Sequence, residues 1–181
     1  MAARVTRRAA LGGGAALLLA SCGGGDPPPS GGAEPGSGAG LLGSLLALEH
    51  AVIAAYSASA SVLSGDALRL SREIRAQEEG HVRRLEGAIR DLGGEPPAGR
   101  DTSEYDRQFP RLRTQADALR FLEDLEQRQL RGYLEALAEL PELELRTMAA
   151  EIGADEGEQL AVVRVLAGGP ASPHPFETGA L

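Results

Sequence analysis

The stretch "RAQEEGHVRR" at 75–84 holds Glu78 and, three residues on, His81. On a helix, side chains three apart stand on one face, so a carboxylate and an imidazole at this spacing can share a metal ion. "GADEGEQLAV" at 153–162 reads as an altered copy, with Glu156 followed three residues later by Gln159. Glu49 and Glu126 belong to the same set. Each of the four glutamates interrupts a run of apolar residues spaced at three and four: Glu49 between Leu45 and Val52, Glu78 between Ile74 and Leu85, Glu126 between Leu122 and Leu130, and Glu156 between Ile152 and Leu160. Helical glutamates ordinarily face water, and Glu73, Glu86, Glu123 and Glu139 are read that way. These four face the wrong side.

Burying one unpaired carboxylate costs several kcal/mol or forces its protonation. Metal cations, protons, arginines or water must therefore neutralise four of them in one core. Two divalent ions would cancel the four charges, and paired metal sites place such ions about 3.5–4 Å apart. The alternative is a set of helices rotated so that the glutamates are partly wet.

Four helices must position these residues. Leu41–Leu63 carries Leu45, Leu48, Val52 and Tyr56 on one stripe; Asp66–Leu92 carries Leu70, Ile74, Val82, Leu85, Ile89 and Leu92 and stops at Gly93-Gly94. A third opens at Thr114, with Asp117 three residues on as a capping-box-like pair, and carries Leu119, Leu122, Leu130, Tyr133 and Leu137. Pro141 marks the turn to a fourth, with Leu145, Ala149, Ile152, Leu160, Val163 and Leu166, which ends at Gly168-Gly169-Pro170. Between the second and third, "EPPAGRDTSEYDRQFPRLR" has no sustained period and reads as a long connection. No strand-like alternation is present. Short joins within pairs and a long join between them predict an all-α, four-helix up-down bundle with a crossover between helices two and three. The pairs are also alike: Glu49-x6-Tyr56 matches Glu126-x6-Tyr133, and Glu78/His81 matches Glu156/Gln159, at nearly one offset. This order suggests two similar helical hairpins derived by duplication. Tyr56 and Tyr133 lie two turns beyond Glu49 and Glu126. They read either as a second layer of hydrogen bonds or redox-active phenols behind the carboxylates, or as core aromatics with satisfied hydroxyls.

Glu49, Glu78-x-x-His81, Glu126 and Glu156-x-x-Gln159 together resemble the ligand pattern of the ferritin-like di-iron carboxylate proteins, over roughly residues 41–167. "FLEDLEQRQLRGYLEAL", "IGADEGEQLAVVRVL" and the tail ending "PFETG" are similar to the exported, lipoprotein-type members of bacteria. The resemblance implies a pair of iron or manganese ions held by Glu49, Glu78, His81, Glu126, Glu156 and residue 159. It implies chemistry ranging from iron oxidation to peroxide reduction and oxygen activation. At 159 the sequence departs from it: the pattern has His, and Gln supplies only a neutral amide oxygen, a poorer iron ligand than imidazole. A degenerate bundle without catalysis, acting as a scaffold or binding module, is the alternative. His50 is one residue from Glu49, about 100° around the helix, and His174 lies in the tail; neither replaces the missing imidazole.

The ends bear on location. "MAARVTRR" followed by "AALGGGAALLLA" has the form of an export signal, too short and Gly-rich to span a bilayer. It runs into Leu19-Ala20-Ser21-Cys22, which resembles a lipoprotein lipobox, so residues 1–21 are expected to be removed and Cys22, the only cysteine, to carry lipid. Arg7-Arg8 also resembles a twin-arginine signal. Residues 22–40 read as a lipidated, flexible Gly/Pro/Ser tether and 168–181 as a Gly/Pro-rich tail. The expected location is the outer face of the cytoplasmic membrane or the cell envelope. The net charge is −8, and loss of Arg4, Arg7 and Arg8 with the signal would make it more negative; all 18 basic residues are Arg. Such a chain lacks the basic patch that nucleic-acid binding requires, and its adhesion to membrane falls to the lipid. The tether disfavours a closed cage, since anchoring every subunit would constrain its geometry, and leaves a homodimer open.

Overall fold

A computed structural model describes residues 37–176 and 178–179. The expectations for the export signal, Cys22 and most of the tether lie outside these residues. Among the described residues there are five helices and no strand: α1 (Gly38–Ser59), α2 (Gly65–Asp91), α3 (Thr102–Asp106), α4 (Gln115–Glu139) and α5 (Leu143–Leu166). The all-helical bundle of two hairpins with a long connection is as expected. α1 packs on α2 and α4 on α5, and α1 also lies along α4.

The ends follow local chemistry. Thr114 and Asp117 form a complete capping box, each side chain bonded to the other's backbone N–H. Gly93 and Gly168 take positive φ just past the ends of α2 and α5, a conformation costly for residues bearing a Cβ. Beyond shifts of a single residue, three features differ from the sequence expectation, and the first is that α1 ends at Ser59, four residues short of Leu63. α1 begins at Gly38, inside the stretch read as tether, because Ser37 caps it by accepting a hydrogen bond from the Gly40 N–H. The long connection also contains α3, whose buried Tyr105 stacks on Phe109 at 6.1 Å, while Phe109 meets Phe121 of α4 at 5.1 Å. This aromatic chain fastens the connection to the bundle.

α1 is long and apolar enough to cross a bilayer by length and composition. Its Glu49 is nevertheless fully buried within the protein, with Leu42, Leu46 and Val52. The core divides into two apolar clusters. One gathers Leu42, Leu46, Leu85, Ile89, Tyr133, Met148 and Ile152. The other gathers Val52, Tyr56, Ile74, Leu119, Leu122 and Val163. Along every long helix the chain leaves one cluster, passes through a buried polar layer and enters the other. The polar layer holds Glu49, Glu78, His81, Glu126, Gln129, Glu156 and Gln159.

Candidate metal centre

The four glutamates are all completely buried, so the helices are not rotated away from the predicted register. His81 and Gln159 are buried with them, at 7% and 3% exposure. Ligand atoms of Glu49, Glu78, His81 and Glu156 lie within 4.8 Å of one another, close enough to surround one cation. The imidazole Nδ1 faces the group, 3.2 Å from Glu156 Oε1, 3.6 Å from Glu49 Oε2 and 3.8 Å from Glu78 Oε2. Glu126 stands outside this four-residue group and borders it: the charge of Glu78 helps hold its carboxyl protonated.

Tyr56 and Tyr133 reach across the bundle. The Tyr56 hydroxyl donates to Glu126 Oε1, and the Tyr133 hydroxyl donates to Glu49 Oε1. Each tyrosine thus serves the glutamate of the opposite helix, and this reciprocal register sets α1 and α4 antiparallel. Both tyrosines are buried and bonded, which makes them core aromatics with satisfied hydroxyls and a second layer behind the carboxylates at once. Gly153 lets α5 come close beside Tyr133: a Cβ there would meet the tyrosine Cβ at 3.1 Å.

Three polar residues of the layer and its rim escaped the sequence reading. Gln129, fully buried on α4, donates from Nε2 to Glu78 Oε2 at 3.0 Å. Asp155 lies 3.4 Å from His81 Nε2 and is mostly exposed. Gln77 accepts from Gln159 Nε2 at 3.2 Å. Asp155 and Gln77 each immediately precede a buried glutamate and each hold the side chain at the third position of the other pair. His50 is half-buried against Gly99, and His174 is exposed on the tail; neither joins the layer.

The protonation pattern follows from burial. Removal from water pushes Glu49 up to about 8 against the pull of His81. Burial also raises Glu126 and Glu156 well above the usual carboxylate range, with Glu78's charge adding to both. Burial would raise Glu78 too, but bonds with His81, Glu49 and Gln129 outweigh it and hold the carboxyl below its ordinary value. For His81, burial opposes the charge, yet contacts with the Glu156, Glu49 and Glu78 side chains push it up to about 12. Burial, followed by the neighbouring Glu126 and Glu49 carboxyls respectively, raises both phenols well above their ordinary value and keeps them protonated. Without metal, the layer therefore balances one imidazolium against one carboxylate and holds the remaining carboxyls as acids.

Even so, hydrogen bonds leave many atoms unanswered. Glu78 Oε1, Glu126 Oε2, Glu156 Oε2 and Gln159 Oε1 are buried without a hydrogen-bond partner, and His81 Nδ1 meets Glu49 Oε2 and Glu156 Oε1 only at ion-pair distance. Buried polar atoms in native proteins are normally satisfied, and this concentration at one level is a donor set that could hold a cation. Carboxylates with one imidazole suit iron or manganese. The residues fit the group.

A family model described as a ferritin-like domain matches residues 38–169. No curated protein sequence matches the chain. Among solved structures, a conserved hypothetical protein of Mycobacterium tuberculosis, rv2844, is similar in fold, with a TM-score of 0.66 and 14% identity. The match covers 74% of this chain and 99% of that one. With the family model spanning the whole bundle and its polar layer, the chain belongs to the ferritin-like domain family.

Proposed function

We propose that this is a lipid-tethered, extracytoplasmic ferritin-like protein that binds a pair of iron or manganese ions and uses them in iron oxidation and handling or in peroxide removal. The observation that carries the metal reading is the set of buried donor atoms on Glu49, Glu78, His81, Glu126, Glu156 and Gln159 that lack a hydrogen-bond partner, gathered around the single imidazole of His81. When bound, the ions would supply redox chemistry towards dioxygen or peroxide. The chain's own residues hold the carboxylates in place: Tyr133 on Glu49, Tyr56 on Glu126 and Gln129 on Glu78. The two apolar clusters on either side exclude water, which strengthens every charge interaction in the layer. The tether rests on Leu19-Ala20-Ser21-Cys22 and the Gly/Pro-rich segment after it.

One fractionation experiment tests both halves. The wild type should partition with membranes and Cys22→Ala should not. Washed membrane-bound protein supplied with Fe²⁺ should then consume oxygen or peroxide faster than the free ion does. A soluble wild type would remove the tether. Metal bound without any consumption would remove the catalysis and leave the second reading, a scaffold or binding module. That reading draws on the protonated layer, which balances its own charge through His81 and Glu78.

A further inference from the structure

The polar layer has two rim positions that its pseudo-symmetry makes equivalent, and they carry different chemistry. On one side Asp155 stands behind His81; on the other Gln77 stands behind Gln159. A carboxylate behind an imidazole and an amide behind an amide are matched pairs. A residue at 159 that had merely lost its role would not need a matched partner at 77.

We propose that Gln77 is a positioning residue that fixes the Gln159 amide with its nitrogen outward and its carbonyl oxygen as a metal donor, giving the centre one imidazole side and one all-oxygen side. The proposal rests on the metal reading above. Gln159 is 3% exposed, and its Nε2 donates to Gln77 Oε1 at 3.2 Å. That bond spends the amide's donor end on the rim. The acceptor end, Oε1, is buried and without a hydrogen-bond partner, on the helical face of Glu156, whose Oε2 is likewise without one. Fixing an amide's orientation chooses what it offers: an oxygen can ligate a cation, whereas an NH₂ group repels one. Oxygen-only donors favour hard ions such as Mn²⁺, and imidazole favours Fe²⁺ and Zn²⁺, so the two sides should differ in the ion they prefer.

Gln77 itself is exposed, so it can be changed without opening the core. Gln77→Glu is acceptor-only and keeps the amide in its observed orientation. Gln77→Lys is donor-only and turns it round, presenting NH₂ inward. Titration of the full chain with Mn²⁺ should give wild-type affinity for Gln77→Glu and a loss of about 10–100-fold for Gln77→Lys, the usual effect of removing an outer partner of a metal ligand. Metal-free melting temperatures of the two variants should match the wild type, separating positioning from folding. The paired exchange Gln77→Asp with Gln159→His copies the Asp155–His81 arrangement and should shift the Mn²⁺/Zn²⁺ competition towards Zn²⁺. Equal Mn²⁺ affinity in Gln77→Lys and wild type, or equal losses in Gln77→Lys and Gln77→Glu, would overturn the positioning role while leaving the metal reading intact. A wild type that takes up neither Mn²⁺ nor Fe²⁺ would overturn both.

Discussion

Replacing His81 with Ala should destabilise the metal-free protein by about 3–5 kcal/mol, the usual cost of removing one partner of a buried ion pair, and weaken Zn²⁺ or Fe²⁺ binding at least about 100-fold. The two effects have one origin. In the metal-free state the imidazolium is the cation that lets Glu78 remain ionised in a layer where the other carboxyls are held as acids. Without it, Glu78 must either stay charged and unpaired or take up a proton. With metal bound, His81 would be the single nitrogen donor among the clustered groups. Denaturant unfolding in the presence of a chelator reads the first effect and calorimetric titration the second. His81→Gln, which keeps volume and a polar end but no charge, should recover packing and not the ion pair. A His81→Ala protein within about 1 kcal/mol of wild type, with unchanged metal affinity, would show that His81 neither balances the charge nor ligates.

The metal-free protein should also lose stability as pH rises from about 5 to 8, by an amount that lowers its melting temperature on the order of 10 °C. The sign follows from which state holds protons more tightly. Glu49, at about 8 in the folded protein against an ordinary 4.5, contributes stability that is complete below 4.5 and lost as pH climbs through 8. Glu126 and Glu156 are raised in the same direction and act alike. His81, raised from 6.5 to about 12, contributes fully below 6.5 and less above it. Glu78 is lowered, so its contribution disappears only in acid, below 4.5. Within the window the raised groups therefore dominate. Metal ions displace these protons, one each from Glu49, Glu126, Glu156 and His81, so binding should tighten with pH and the gap between loaded and metal-free melting temperatures should widen. Calorimetric scans with and without chelator measure both. A metal-free melting temperature that rises across the same range would contradict the protonation pattern.

Much of this layer was legible in the sequence because a charged residue inside a three-and-four apolar stripe is a conflict that periodicity exposes. Glu49, Glu78, Glu126 and Glu156 are each flanked on the same face by residues that turn out to be core. Gln129 carried a similar signal, three residues after Glu126 as His81 is after Glu78, but a glutamine in a helix is ordinary on a surface. Asp155 and Gln77 were hidden because a residue next to a buried glutamate points about 100° away, and only the packing of the helices turns it towards a partner on another helix. The reciprocal tyrosines likewise needed the register between α1 and α4. α3, at five residues, is too short to show a period. The start of α1 was missed because Gly38 and Gly40 are weak helix formers, whereas Ser37 caps the helix and a Cβ on Gly38 would already touch Leu145 at 3.2 Å. Packing decided that end, not propensity.

Metal content, determined on protein purified without chelators and again after titration with Fe²⁺ and Mn²⁺, tests the central claim most directly when wild type and Glu156→Ala are compared. The wild type should hold iron or manganese, and Glu156→Ala, which removes the carboxyl group nearest the imidazole Nδ1, should hold far less. A wild type that carries no metal and binds none on titration, or a Glu156→Ala protein that binds as the wild type does, would contradict it.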